Sequence, residues 1–163
     1  MIRETNTMAS AKLRDPPAET PLYDADFYSW TLAQAAALRE GRFSVLDLPN
    51  LAEEIEDLGG EVFNKLRSSI RVIQIHMLKW DHQPERRSRS WAASIDTHRI
   101  MIGDVIEKNP SLRRRQEKAV DFAFRLARVR AAVEMKRDKN SLPALCPYTL
   151  DDILGRDFPW PLD

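Results

Sequence analysis

Apolar residues recur every three or four positions along most of this chain, the spacing that gathers them on one face of an α-helix. The longest stripe runs through Leu48, Leu51, Ile55, Leu58 and Val62, then Leu66, Ser69, Ile73, His76 and Trp80. It keeps phase across Gly59-Gly60, although two interior glycines cost about 2 kcal/mol against alanine. The unbroken phase favours one long second helix from Leu48 to near Asp81, straight or kinked at the glycines. Pro49 suits its first turn, where the missing amide would have had no partner.

An earlier helix is expected from Asp24 to Glu40, with Asp24 as its N-cap and Phe27, Trp30, Gln34 and Leu38 along one face. Gly41 should stop it by taking the left-handed conformation. Pro84 pushes Gln83 out of helical geometry. A third helix then runs from about Ser88 to Lys108, with Trp91, Ile95, His98, Ile102 and Val105 inward. Asn109-Pro110 reads as the N-cap and first-turn proline of a fourth helix reaching Arg137. Thr149-Leu150-Asp151-Asp152 has the form of a capping box for a short last helix, Leu150 to Leu154. Phe158 and Trp160 are expected to pin the tail. The pattern therefore predicts an all-α, single-domain helical bundle over 22–163, with a long second helix, antiparallel third and fourth helices and a short C-terminal helix. Residues 1–21 are polar and prolines interrupt them, so they read as a flexible tail in which Met8 is an alternative start.

Composition agrees. The chain has 163 residues, 43% of them hydrophobic, enough for a one-domain core without staples. The 25 basic and 25 acidic residues cancel, which argues against a dedicated nucleic-acid binder. The charges are segregated, however. Glu53, Glu54, Glu56, Asp57 and Glu61 form an acidic block without a basic residue among them. On the helical wheel Glu54 and Glu61 border the apolar stripe, while the other three point away. The fourth helix is basic: Arg113, Arg114, Arg115, Lys118, Arg125, Arg128, Arg130, Lys136 and Arg137 outnumber Glu117, Asp121 and Glu134. It reads as a solvated face answering the acidic block. The single cysteine, Cys146, cannot close an internal disulfide. No apolar run is long enough to span a bilayer. A cytoplasmic location, no membrane association and no cofactor are expected.

No phosphate loop, zinc-type cysteine pair or His-Glu-x-x-His occurs. Candidate chemistry concentrates at the corner between the second and third helices, His76 to Trp91. His76 and His98 fall inside their helices' apolar stripes, roughly 6 Å apart along the axis if the helices pack antiparallel. They read as core histidines satisfied by a serine or carbonyl, or as two ligands of a metal that lacks an evident third. Carboxylates such as Glu54 are the alternative source of that ligand. Lys79, Arg86, Arg87, Arg89 and Arg99 concentrate positive charge, with hydroxyls from Ser88 and Ser90 and flanking rings from Trp80 and Trp91. Such a place suits a phosphate, a carboxylate or a stacked base. The simpler reading makes the tryptophans core anchors and pairs the arginines with acids on neighbouring helices.

Asp26-Phe27-Tyr28-Ser29-Trp30, the run Asn50 to Gly59, the corner, and the run Cys146 to Leu154 together resemble the bacterial family catalogued as domain of unknown function twenty-nine. The pattern His-x-Leu-Lys-Trp-x-x-Gln-Pro-Glu-x-Arg-Ser-x-Ser-Trp is met by His76, Leu78, Lys79, Trp80, Gln83, Pro84, Glu85, Arg87, Ser88, Ser90 and Trp91. The resemblance implies a helical fold and no particular activity. It separates Arg87, a fixed position, from Arg86 and Arg89, which fall at variable ones. The expected function is unknown in detail: a non-catalytic interaction or adaptor domain, with a protein partner or a homodimer through exposed parts of the second helix. The alternatives are a phosphate- or nucleotide-binding protein using His76, Lys79, Trp80, Arg87, Ser88, Ser90 and Trp91, and a metal-dependent enzyme using His76 and carboxylates.

Overall fold

Asp26 opens the first helix by accepting from the amide of Ser29 at 3.0 Å and from its hydroxyl at 2.6 Å. That helix, α1, spans Phe27–Arg39 in a computed structural model that describes residues 23–160. The expected N-cap, Asp24, lies in the preceding turn, because Asp26 is the aspartate whose spacing reaches the free amides. The expected tail over 1–21 and the alternative start at Met8 lie outside the described residues. Gly41 ends the segment with φ at +70°, the conformation for which glycine was expected there.

The remaining helices are α2 Leu48–His82, α3 Arg89–Lys108, α4 Gln116–Met135 and α5 Leu150–Gly155. Among the described residues no strand occurs, and the all-α class holds. Helix α2 runs unbroken through Gly59-Gly60. The chain divides into two compact units, one ending at Ile55 and the other beginning at Glu56.

In the first unit Trp30 is buried, with the edge of Tyr23 4.9 Å from it between ring centroids. Its indole donates to Asp47 at 3.2 Å. Asp47 also accepts from the side chain and amide of Asn50, so it caps the start of α2.

In the second unit the core is built on α2: Leu66, Ile70, Ile73, Met77 and Leu78 are fully buried. Each such side chain contributes about 1.5–3 kcal/mol relative to exposure. Helix α3 packs antiparallel to α2. Trp91 meets His76 and Lys79 near the corner, while Val105 shares a cavity wall with Lys65 at the far end. Helix α4 presents Ala119, Ala123, Ala127 and Ala131 inward, small residues that permit close approach. Gln74 of α2 donates to the carbonyl of Val120, and Lys79 reaches Glu134. The contacts advance together along both helices, so α2 and α4 run parallel and α3 runs opposite to both.

Two expected boundaries shift. Asn109 does not cap α4. Its amide and side chain both donate to the carbonyl of Val105, closing α3, and a 3-10 turn over Pro110–Arg115 intervenes. Helix α4 ends at Met135 rather than Arg137, because Lys136 turns into the left-handed region at φ 54°. The capping box forms as expected, with Thr149 and Asp152 exchanging bonds. Phe158 is buried edge-on against Trp80 at 5.5 Å. Trp160, half exposed, donates through its indole to Asp96 at 3.3 Å.

Candidate functional site

Helix α2 must stop where Pro84 lacks an amide. The carbonyl of Trp80, four residues earlier, would otherwise have received that amide. Arg87 takes its place: its Nε donates to the Trp80 carbonyl at 3.0 Å. The same guanidinium lies over the Trp80 ring, 5.1 Å from its centroid. Tryptophan, proline and arginine at these spacings thus form one device that closes the end of a helix.

Lys79 points the other way. Its ammonium lies 4.4 Å over the Trp91 ring and bonds Glu134 of α4 at 2.9 Å. Arg130 holds the second oxygen of Glu134, also at 2.9 Å. Burial pushes the Glu134 carboxyl up, but the bonds and charges of Lys79 and Arg130 outweigh it and keep its pKa below the usual range. Lys79 therefore ties α2, α3 and α4 together.

His76 lies between these groups, its ring 6.4 Å from Trp91. Burial, then the charge of Lys79, lowers its pKa to about 4, with Glu134 opposing and His98 adding slightly. Burial also lowers the pKa of His98. The expected serine or carbonyl partner is missing for one nitrogen of each: both Nδ1 atoms are buried without a hydrogen bond. As expected, His98 stands opposite Val72, lining a cavity of about 330 Å³ with Ser69 and Asp104. His76 opens instead onto a groove of about 560 Å³ between α2 and α4, floored by Val72 and Ile75 and walled by Leu126, Val129 and Val133. Among the described residues, no three His, Cys, Asp or Glu side chains are placed to hold a metal ion. Glu54, considered as a third ligand, accepts from the Tyr23 hydroxyl in the first unit.

The remaining corner residues divide. Ser88 and Ser90 bond each other at 2.9 Å at the mouth of α3. Arg99 leaves the basic cluster altogether. It donates to the carbonyls of Ile153 at 2.8 Å and Arg156 at 2.7 Å, closing the C-terminal end of α5. Cys146 is half-buried, and burial raises its thiol pKa. It contacts Gln74 and the carbonyl of Tyr148, not a base.

One group was missed by the sequence reading. Asp81 receives both guanidinium arms of Arg156, at 2.9 and 2.5 Å, and the hydroxyl of Tyr148 at 3.0 Å. Burial alone would raise the Asp81 carboxyl, but these bonds hold its pKa below the usual range. The residue sits at a variable position of the corner pattern, so only the presence of Tyr148 in the Cys146 to Leu154 run hinted at it.

Among known families, the model described as Domain of unknown function DUF29 matches residues 22–159. No curated protein and no solved structure matches. No helix among the described residues is long and apolar enough to cross a membrane.

Proposed function

The chain belongs to that family of unknown function, and from this premise we propose that it is a non-catalytic helical interaction domain whose working surface is the exposed face of α4, while the corner from His76 to Trp91 locks its helices. The observation that carries the reading is the seam Phe122, Leu126, Val129 and Val133. These residues are 40–64% exposed, on a helix whose other face is buried in the core. Contiguous apolar surface of this kind marks a site of association. Lys79 and Arg87 of the corner, by contrast, are engaged with internal partners. A cytoplasmic setting is part of the proposal, and a lone, half-buried cysteine suits it.

The test is a photo-crosslinking side chain placed at Val129 of the full chain, expressed in the cells it comes from. A discrete protein adduct is expected. Irradiation that yields none contradicts the reading.

A second reading keeps the corner as an anion site. It rests on Arg87, which is exposed, bonds the Trp80 carbonyl through Nε, and directly precedes Ser88 and its bonded partner Ser90 at the mouth of α3. Trp80, whose carbonyl and ring Arg87 contacts, would then orient the arginine, while His76, Lys79 and Trp91 pack against one another away from it. A thermal-shift screen with phosphate and nucleotides decides it. Stabilisation abolished by Arg87→Ala favours the anion site, and no shift with any of them removes it.

A further inference from the structure

Resting on the reading of α4 as an interaction surface, we propose that the partner it takes is an acidic amphipathic helix, laid with its apolar face in the groove between α2 and α4 and with its carboxylates over Arg71, Lys118 and Arg125.

Helix α4 is apolar on two sides. Ala119, Ala123, Ala127 and Ala131 fill one of them against the core, and all four are buried. The other is the seam Phe122, Leu126, Val129 and Val133, which stays 40–64% exposed. A helix apolar on both sides is ordinarily packed on both. The seam continues into a recess. Leu126, Val129 and Val133 wall the groove of about 560 Å³, and Val72 and Ile75 of α2 floor it. Ile75 is 8% exposed against 55% for Leu126, so the floor lies well below the rim. All of these residues belong to the compact unit that begins at Glu56.

The dimensions fit a helix. The seam residues are spaced four, three, four. Such a row interleaves with the three-and-four spaced side chains of a second helix. From Phe122 to Val133 it runs about 17 Å, or three helical turns. A recess between two parallel helices receives the apolar face of a third, read through anchors at the same spacing.

Charge sets the chemistry of that third helix. Arg71 lines the groove and is half-buried. Lys118 and Arg125 stand over the Phe122 ring, 5.6 and 5.8 Å from its centroid. Among the described residues none of these three cations pairs with a carboxylate. The one acid in the groove lining, Glu134, is already shared between Lys79 and Arg130. An apolar recess with unanswered cations around it attracts a negative partner and repels a basic one. An anionic bilayer offers negative charge and apolar depth as well. A flat surface resting on the α4 seam would leave Val72 and Ile75 uncovered, however, whereas side chains projecting from a helix reach them.

The probe is a synthetic peptide of about 20 residues, with leucine at every third and fourth position and glutamate and alanine between, long enough to span the seam. Added to the isotope-labelled full chain, it should shift the amide resonances of Val72, Ile75, Leu126, Val129 and Val133. A peptide with lysine in place of glutamate should bind about tenfold more weakly or worse. Arg71→Glu, and separately Lys118→Glu with Arg125→Glu, should each weaken the glutamate peptide by about fivefold or more. No shift up to about 1 mM peptide overturns the proposal. Equal binding of the two peptides overturns it too, as do shifts confined to another face. Phosphatidylglycerol vesicles that bind the chain when the glutamate peptide does not would replace the helix by a membrane. The photo-adduct at Val129 separates this proposal from the reading beneath it. The adducted segment, sequenced by mass spectrometry, should be an apolar-striped helix rich in aspartate and glutamate. A neutral or basic segment sinks the acidic helix and leaves the interaction domain standing. No adduct at all sinks both.

Discussion

Replacing Arg87 by alanine removes the one donor among the described residues that compensates the amide lost at Pro84. The Trp80 carbonyl then faces the corner without a partner, and the Trp80 ring loses its cation. A hydrogen bond from a charged donor is worth about 1.5–3 kcal/mol, and an exposed cation–π contact about 0.5–1 kcal/mol. Arg87 is itself exposed, so water recovers part of the loss, and a net cost of about 1–2 kcal/mol is expected. In a domain of this size that lowers Tm by roughly 2–8 °C. Urea unfolding followed by circular dichroism should show an earlier midpoint at unchanged slope. Arg87→Lys should recover little, because an ammonium cannot bond a carbonyl through Nε geometry and lie flat on the ring together. An Arg87→Ala protein as stable as the wild type, within about 0.3 kcal/mol, would refute the assignment of Arg87 to closing the helix end.

Three other predictions follow from the same geometry. His76 is held neutral with a pKa near 4 against an ordinary 6.5. As pH falls from 6.5 toward 4 the unfolded chain gains a proton the folded chain refuses, and stability is lost across that window. A His76 NMR titration midpoint near 6.5 would contradict this. Asp81→Asn should cost about 1–3 kcal/mol in urea unfolding, because Arg156 loses its fork and Tyr148 its anionic acceptor. The Asp81 contribution is complete above its unfolded pKa and is lost as pH falls through the lower folded one, so an unchanged acid limb in the variant would count against it. Gly59→Ala and Gly60→Ala should each stabilise the fold by about 0.5–1 kcal/mol, since an added Cβ meets nothing within 4 Å at either position. Destabilisation by either would mean that the glycines serve a bend.

Helix content, the long α2 and the capping box at Thr149 were legible because each rests on local spacing. The role of Arg87 was legible in principle too: a carbonyl four residues before a proline needs a new donor, and an arginine three residues after the proline can supply one. The fate of Lys79 and Arg99 was not. Both look alike in a basic cluster, yet one ties α2 to Glu134 and the other closes α5, contacts 55 and 54 residues away in sequence. Periodicity also placed Leu58 and Leu66 on one stripe without revealing that one is bare and the other buried. Where a stripe leaves the core depends on how far neighbouring helices extend, which spacing does not encode. Asn109 misled because its side chain serves the end of a helix as readily as the start.

The most direct measurement is the photo-adduct at Val129 in a chain that also carries Leu126→Asp and Val133→Asp. Both replaced side chains are more than half exposed and contribute little to the core. The account predicts unfolding free energy within about 1 kcal/mol of wild type and loss of the adduct. An adduct that persists at full yield in this stable variant would contradict the assignment of the α4 seam as the surface through which the protein works.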